Sequence, residues 1–267
     1  MVGPTSGSRE ESRDKSVKTW EELASWWDQR QTDAGDLWHR TLINPTVFQV
    51  LGSVTGLQVL ELACGNGYLC RHLARQGAKV VGVDASAAMI ERAKVREATE
   101  PLGVAYHVAY TAKLEMFRDA SFDVVLCNMA LFDIEDAAQT IRETSRVLRS
   151  GGRFVASLIH PCFDTGEASA WLIERAGLTT TVYRKVSRYR EVFSYQNPWR
   201  GAEGTWYTIA YHRPLSWYVR AIRSAGLAVT AFEEPEPTEE FVTRSSEGPW
   251  IAQIPLHCVI EATRLRA

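Results

Sequence analysis

Residues 58–63 (QVLELA) form a short apolar run that ends in Cys64-Gly65-Asn66-Gly67, and residues 68–76 then carry apolar side chains at helical spacing up to Gly77. Strand, glycine turn and helix follow from that pattern, and no other feature constrains the fold as tightly. A strand that is apolar on both faces must be covered on both, so it belongs inside a parallel sheet flanked by helices. The cycle repeats at once. Residues 79–83 (KVVGV) read as a second strand with Asp84 at its end, and Ser86 can cap a helix through Met89, Ile90 and Ala93. Further strands are predicted at 104–108, 122–127 and 153–159. Between the last two lies a helix with Glu135 and Asp136 in its first turn and Arg146 and Arg149 in its last, matching the helix dipole, with Gly151-Gly152 as its stop. Strands alternating with helices predict an α/β fold built on a doubly wound, mostly parallel sheet with helices on both faces.

Around that core, residues 57–164, the chain divides by composition. Residues 1–19 are rich in Ser, Gly, Lys, Arg and Glu and lack the apolar centre of a signal peptide, so they read as a flexible tail. Residues 20–56 read as one or two helices covering the ligand site, with Trp20, Leu23, Ala24 and Trp27 at helical spacing and a break at Asn44-Pro45. Residues 165–213 change character. Eleven aromatic residues fall between 165 and 218, and 181–195 and 205–213 read as strands separated by a turn-rich loop at 196–201. This is an insert that caps the sheet over the substrate. In its first strand Tyr183, Tyr189, Phe193 and Tyr195 fall on one face and Arg184, Arg188 and Arg190 on the other, which predicts an aromatic inner and a cationic outer surface. Residues 214–267 return to the core with a helix at 216–225 and strands near 228–232 and 255–262.

Composition limits the functional classes. A chain of 267 residues, 45% hydrophobic, buries a core without disulfides or metal. Its 5 cysteines are odd in number and scattered without a CxxC pair, which argues against a zinc site and for a reducing cytoplasm. No apolar run approaches the ~18 residues that span a bilayer, so no membrane association is expected. A net charge of −2 gives no general attraction to nucleic acid. Residues 165–223 nonetheless carry nine Lys or Arg against four Glu, a local +5.

In an open parallel sheet, ligands bind beyond the carboxyl ends of the strands where strand order reverses. Gly65 and Gly67 remove side chains there, the next helix points its positive end at the same spot, and Asp84 can accept both hydrogen bonds of a ribose diol. An adenosine-type cofactor is implied. Cys70 stands where a dinucleotide fingerprint has its third small residue, which weakens a nicotinamide assignment, and no Gly-Lys-Ser/Thr follows to make a phosphate-binding loop.

The run Val59-Leu60-Glu61-Leu62-Ala63-Cys64-Gly65-Asn66-Gly67 resembles the first motif of the class I S-adenosylmethionine-dependent methyltransferases. Val81-Gly82-Val83-Asp84-Ala85-Ser86, Phe122-Asp123-Val124-Val125 and Arg146-Val147-Leu148-Arg149-Ser150-Gly151-Gly152 extend the likeness in the same order, over about residues 57 to 160. The resemblance implies a Rossmann-like, seven-stranded sheet, S-adenosylmethionine as cofactor and S-adenosylhomocysteine as product. It places Gly65 and Gly67 against the methionine part, Asp84 on the ribose and Met89 near adenine, with Cys127-Asn128-Met129-Ala130 lining the transfer site. Glu61, Ala63, Ala85, Tyr110, Thr111, Asn128 and Met129 join the cofactor set by the same carry-over. Trp38-His39-Arg40 is similar to a stretch that brings an arginine, here Arg40, onto the cofactor carboxylate. Where the family carries an acidic residue after the third strand, this chain has Ala109-Tyr110-Thr111-Ala112, so Tyr110 offers a ring for stacking in place of a carboxylate.

Candidate bases lie near strand ends: His160 after the fifth strand, Asp133 after the fourth, and Tyr211 and His212 leading back from the insert. The expectation is a cytoplasmic methyltransferase, monomer or homodimer, acting on a small aromatic or hydrophobic acceptor at oxygen, nitrogen or carbon without a metal. The alternatives are a tRNA or rRNA methyltransferase, favoured by the local basic charge, and a cofactor-binding scaffold of this fold that catalyses another reaction or only binds ligand.

Overall fold

The computed structural model describes residues 6–177, 179–201 and 204–265, with side chains from residue 16 onward. Ser6–Arg30 forms one helix, α1. The flexible tail expected over 1–19 is therefore helical from Ser6, and residues 1–5 lie outside the described residues. From residue 8 to 30 no Gly or Pro interrupts a run rich in helix formers. The helix is also docked: Glu21 accepts hydrogen bonds from the Ala87 and Ala88 amides at 2.5 and 3.1 Å, and Asp28 pairs with Arg96 at 2.8 Å. The chain turns at Gly35, and a π-helical turn, His39–Ile43, runs straight into α2, Asn44–Leu51. Asn44-Pro45 is thus a helix start and not a break, because proline in a first turn loses no intrahelical hydrogen bond.

The core then follows the sequence reading closely: β1 Gln58–Leu62, α3 Tyr68–Arg75, β2 Lys79–Asp84, α4 Ala87–Thr99, β3 Ala105–Val108, β4 Phe122–Asn128, α5 Ala137–Val147 and β5 Leu148–Ile159. Gly151-Gly152 lies inside β5, so the helix stops earlier than expected, at Val147. Two hairpins come next, β6 Ser169–Ala176 with β7 Thr179–Val186, and β8 Phe193–Gly201 with β9 Gly204–His212. The chain closes with α6 Leu215–Ser224, β10 Leu227–Glu233, α7 Glu239–Arg244, α8 Gly248–Ile251 and β11 His257–Arg264.

The central sheet has 7 strands in the order β10-β11-β5-β4-β1-β2-β3. β11 runs antiparallel to both its neighbours and the other pairs are parallel. Period-two alternation sorts the strand residues onto the two layers. Val59, Val124, Leu126 and Val155 face the side packed by α2, α3 and α4, whereas Leu60, Leu62, Val125, Cys127 and Phe154 face α5 and α6. Burial of each such side chain contributes about 1.5–3 kcal/mol.

The insert departs from expectation. The stretch 196–201, read as a loop, is strand in β8, and Pro198 is accommodated because a two-stranded ribbon leaves amide positions that need no partner. Tyr183 and Tyr189 share no strand face with Phe193 and Tyr195, since β7 ends at Val186. Nor is Arg184 on a cationic outer surface. It is half-buried, donates to the Phe163 carbonyl at 2.7 Å, pairs with Asp164 at 3.2 Å and stacks over Trp171. Arg188 lies over Phe193 and bonds Glu191.

Candidate active site

Strand order reverses between β2 and β4 on either side of β1, and the carboxyl ends of these strands surround one cavity of about 1100 Å³. Two non-glycine residues there have left-handed backbones, Ala63 after β1 (φ 52°) and Met129 after β4 (φ 51°). Strain of about 1–3 kcal/mol each is held by the sheet around them, and it turns the chain away from the strand ends to open the cavity. The Met129 amide is fixed by Ser157 Oγ at 2.8 Å.

The glycine turn is held from both sides. Gly65 (φ 54°) donates its amide to Asp84 Oδ2 at 2.8 Å, and Asp84 Oδ1 accepts from the Ser86 amide at 2.8 Å. Ser86 in turn caps α4 by accepting from the Met89 amide. Burial raises the pKa of Asp84, against the pull of these amides. Gly67 (φ 75°) does not itself line the cavity. A Cβ there would lie 2.5 Å from the Tyr106 hydroxyl, so the turn and β3 can approach only because the residue is glycine.

Glu61 sits in the floor. It is 3% exposed, its Oε2 has no hydrogen-bond partner, and it lines the cavity. Burial pushes its pKa up to about 8; a hydrogen bond from Cys70 works against this and the charge of Asp84 adds to it. A buried acidic oxygen facing a cavity without a donor calls for an ammonium or N–H group from a ligand.

Ala63, Gly65, Asp84, Ala85, Met89, Tyr110, Thr111, Asn128 and Met129 all line the same cavity as Glu61. Asp133 and Tyr211 line it as well. Asn128 is oriented by Ser157, whose hydroxyl donates to its Oδ1 at 2.6 Å, and its Nδ2 donates to the Tyr68 hydroxyl at 3.1 Å.

Besides Gly67, three expected site residues are not brought together with these. Arg40 is on the surface, where its guanidinium makes a two-pronged pair with Glu240 at 2.8 and 2.7 Å, because the π-helical turn directs it towards α7. His160 is buried beside β11. Its Nδ1 accepts from the Cys162 amide at 3.1 Å, its Nε2 bonds Glu234 at 2.9 Å, and Phe163 and Phe232 pack on the ring. His212 bonds the Tyr189 carbonyl at 2.9 Å and packs on Phe193, because alternation along β9 turns Tyr211 to the cavity and His212 away from it.

Sequence reasoning offered the 20–56 helices and the aromatic insert as covers but missed which side chains meet there. Trp20 and Trp27 of α1, Trp199 of β8, Phe193 of β8 and Trp217 of α6 line the cavity. Ring contacts tie helix to hairpin, with the Trp199 centroid 5.2 Å from that of Trp27 and 6.0 Å from that of Trp20. The helical spacing of Trp20 and Trp27 was the available signal, but their partner on β8 is visible only in three dimensions.

Residues 60–156 match the family model of a methyltransferase domain. A crystal structure of an S-adenosylmethionine dependent methyltransferase from Mesorhizobium loti superposes with a TM-score of 0.67 at 29% identity, covering 82% of this chain and 96% of that one. The chain belongs to the class I S-adenosylmethionine-dependent methyltransferases. Curated relatives of the chain include the ubiquinone biosynthesis O-methyltransferases of Alkalilimnicola ehrlichii, 30% identical over 166 residues and 60% of this chain, and Brucella ovis, 39% identical over 104 residues and 39% of this chain. The chain spans 66% and 42% of those relatives' lengths.

The methyltransferase cofactor fits the residues present. The unpartnered Glu61 oxygen suits the ammonium of S-adenosylmethionine, the Asp84 carboxylate lines the same cavity, and Gly65 leaves the approach open. Among the described residues no His, Cys, Asp and Glu group is placed to hold a metal ion, and no helix is long and apolar enough to cross a membrane.

Proposed function

We propose that this chain catalyses methyl transfer from S-adenosylmethionine to a small aromatic or hydrophobic acceptor held under the β8–β9 hairpin. One observation carries the reading: a single cavity of about 1100 Å³ is lined both by Glu61 and Asp84 and by Phe193, Tyr211 and Trp217. That volume exceeds the roughly 300–1,000 Å³ usual for one small ligand, so donor and acceptor fit together. The ubiquinone biosynthesis O-methyltransferase relatives support an apolar ring as the acceptor's body.

In this reading Glu61 binds the cofactor's amino group, Asp84 its ribose hydroxyls, and Met89 and Tyr110 its adenine. The cofactor, when bound, supplies a methyl group on a sulfonium, which is already activated for displacement. What remains for the chain is alignment and exclusion of water, worth up to several kcal/mol. The tryptophan roof excludes water, and Asn128 and Met129, held by Ser157, set the wall between the two ends. Tyr211 and Asp133 are two of the polar groups at the acceptor end.

The engagement of Arg184 within the insert favours a small acceptor over RNA, because that charge is turned to the Phe163 carbonyl and Asp164 rather than to phosphates. Five free cysteines fit a reducing cytoplasm, and a monomer or homodimer is the assembly to check by gel filtration with light scattering. The deciding experiment is calorimetry with S-adenosylhomocysteine, followed by mass spectrometry of small molecules retained through purification. Binding of S-adenosylhomocysteine is expected; its absence, or tighter binding of NADH, would remove the reading.

A further inference from the structure

Asp133, in the loop after β4, lines the acceptor end of the cavity, and its Oδ1 is shielded from solvent without a hydrogen-bond partner. An unpaired acceptor of this kind costs about 1–3 kcal/mol, and a ligand carrying a donor recovers it. Arg213 does not close the gap. Its Nη2 donates to the carbonyls of Ile134 and Glu135 at 2.7 and 2.8 Å, and its guanidinium lies over the rings of Tyr211 and Trp217 at 5.0 and 4.9 Å. Those contacts pin the loop that carries Asp133 and set two aromatic side chains close to it. Acidic Glu135 and Asp136 also line this end. A carboxyl without its donor, in a wall of aromatic rings and acidic side chains, matches a cation that can donate hydrogen bonds.

We propose that the methyl acceptor is an amine on a small ring-bearing body, and that Asp133 binds its nitrogen and takes its proton. The inference rests on the methyl-transfer reading above and narrows its acceptor atom to nitrogen. An ammonium has no free electron pair, so it first passes one proton to the Asp133 carboxylate. The freed pair forms the new N–C bond while the C–S bond of the sulfonium breaks, its electrons staying on sulfur as a thioether. The product leaves as a methylated ammonium, and Asp133 returns its proton to solvent, one net proton per turnover. Burial raises the pKa of Asp133, opposed by Arg213, which suits a carboxylate to accept a proton. Two further titratable groups that interact with it, Cys127 from β4 and Tyr195 from β8, are both pushed upward by burial and stay neutral near pH 7.

The test uses the full chain and amine–alcohol pairs that differ only at the heteroatom: 2-phenylethylamine against 2-phenylethanol, and tryptamine against tryptophol. Each is titrated into the S-adenosylhomocysteine complex and assayed for methyl transfer. The amines are expected to bind at least tenfold tighter than their alcohol partners, with binding lost as pH falls and Asp133 is protonated. Asp133→Asn should erase the preference and its pH dependence while S-adenosylhomocysteine binds as before. Equal binding of amine and alcohol overturns the proposal, as does failure of both amines to bind a protein that binds S-adenosylhomocysteine. Failure of S-adenosylhomocysteine itself to bind strikes the methyl-transfer reading instead.

Discussion

The Asp84 carboxylate accepts a hydrogen bond from the Gly65 amide at 2.8 Å, joining the end of β2 to the glycine turn after β1. The same side chain therefore shapes the turn and, in the proposed function, receives the ribose. Asp84→Ala should cost S-adenosylhomocysteine binding about 1–3 kcal/mol, and it should also destabilise the apo chain by a similar amount, since the Gly65 and Ser86 amides lose their acceptor. Calorimetry and thermal unfolding measure the two separately. An apo chain of parental stability would show that the turn does not depend on Asp84.

Glu61 sets function against stability. Its folded pKa of about 8 lies above the ordinary carboxylate value of 4.5, so between those limits the folded chain binds the extra proton and stability falls as pH rises. Glu61→Gln keeps the shape without the ionisation. The apo variant should unfold at a higher temperature than the parent at pH 8, by a difference on the order of 1–3 kcal/mol, and the gap should close towards pH 5. Its S-adenosylhomocysteine affinity should drop about tenfold or more with the lost charge. A variant that binds as tightly as the parent would detach Glu61 from the cofactor.

Gly67→Ala tests the closest approach in the site. The new Cβ would meet the Tyr106 hydroxyl at 2.5 Å and its ring carbons at 2.7 Å, at a φ of 75°. The expected loss is about 1–3 kcal/mol. Tyr106→Phe removes only the hydroxyl and leaves the ring contact, so it should not restore the melting temperature.

His160→Gln is expected to leave turnover and its pH profile at parental values once an acceptor is in hand, because the ring faces Glu234 and the Cys162 amide and not the cavity. Its effect belongs to stability, at about 1 kcal/mol for the displaced hydrogen bonds. A hundredfold fall in turnover would restore the histidine as general base.

Amino-acid pattern alone determined the core of this protein. Apolar runs of strand length, Gly65 and Gly67, and Asp84 at a strand end are local signals, and in a parallel sheet the position of a residue just past a strand end already places it at the ligand edge. That is why the cofactor-end residues from Glu61 to Met129 line the cavity together. Tertiary structure decided the rest. Whether a polar stretch such as 6–19 is helix or tail depended on docking partners in α4 that lie far away in sequence. Arg40 and His160 carry the right chemistry at plausible positions, yet Glu240 and Glu234, each more than 70 residues away in the chain, hold them elsewhere. The tryptophan roof and the unpartnered oxygen of Asp133 arise from the same cause. Each is a property of space left between elements, and periodicity along one element carries no information about what packs across that space.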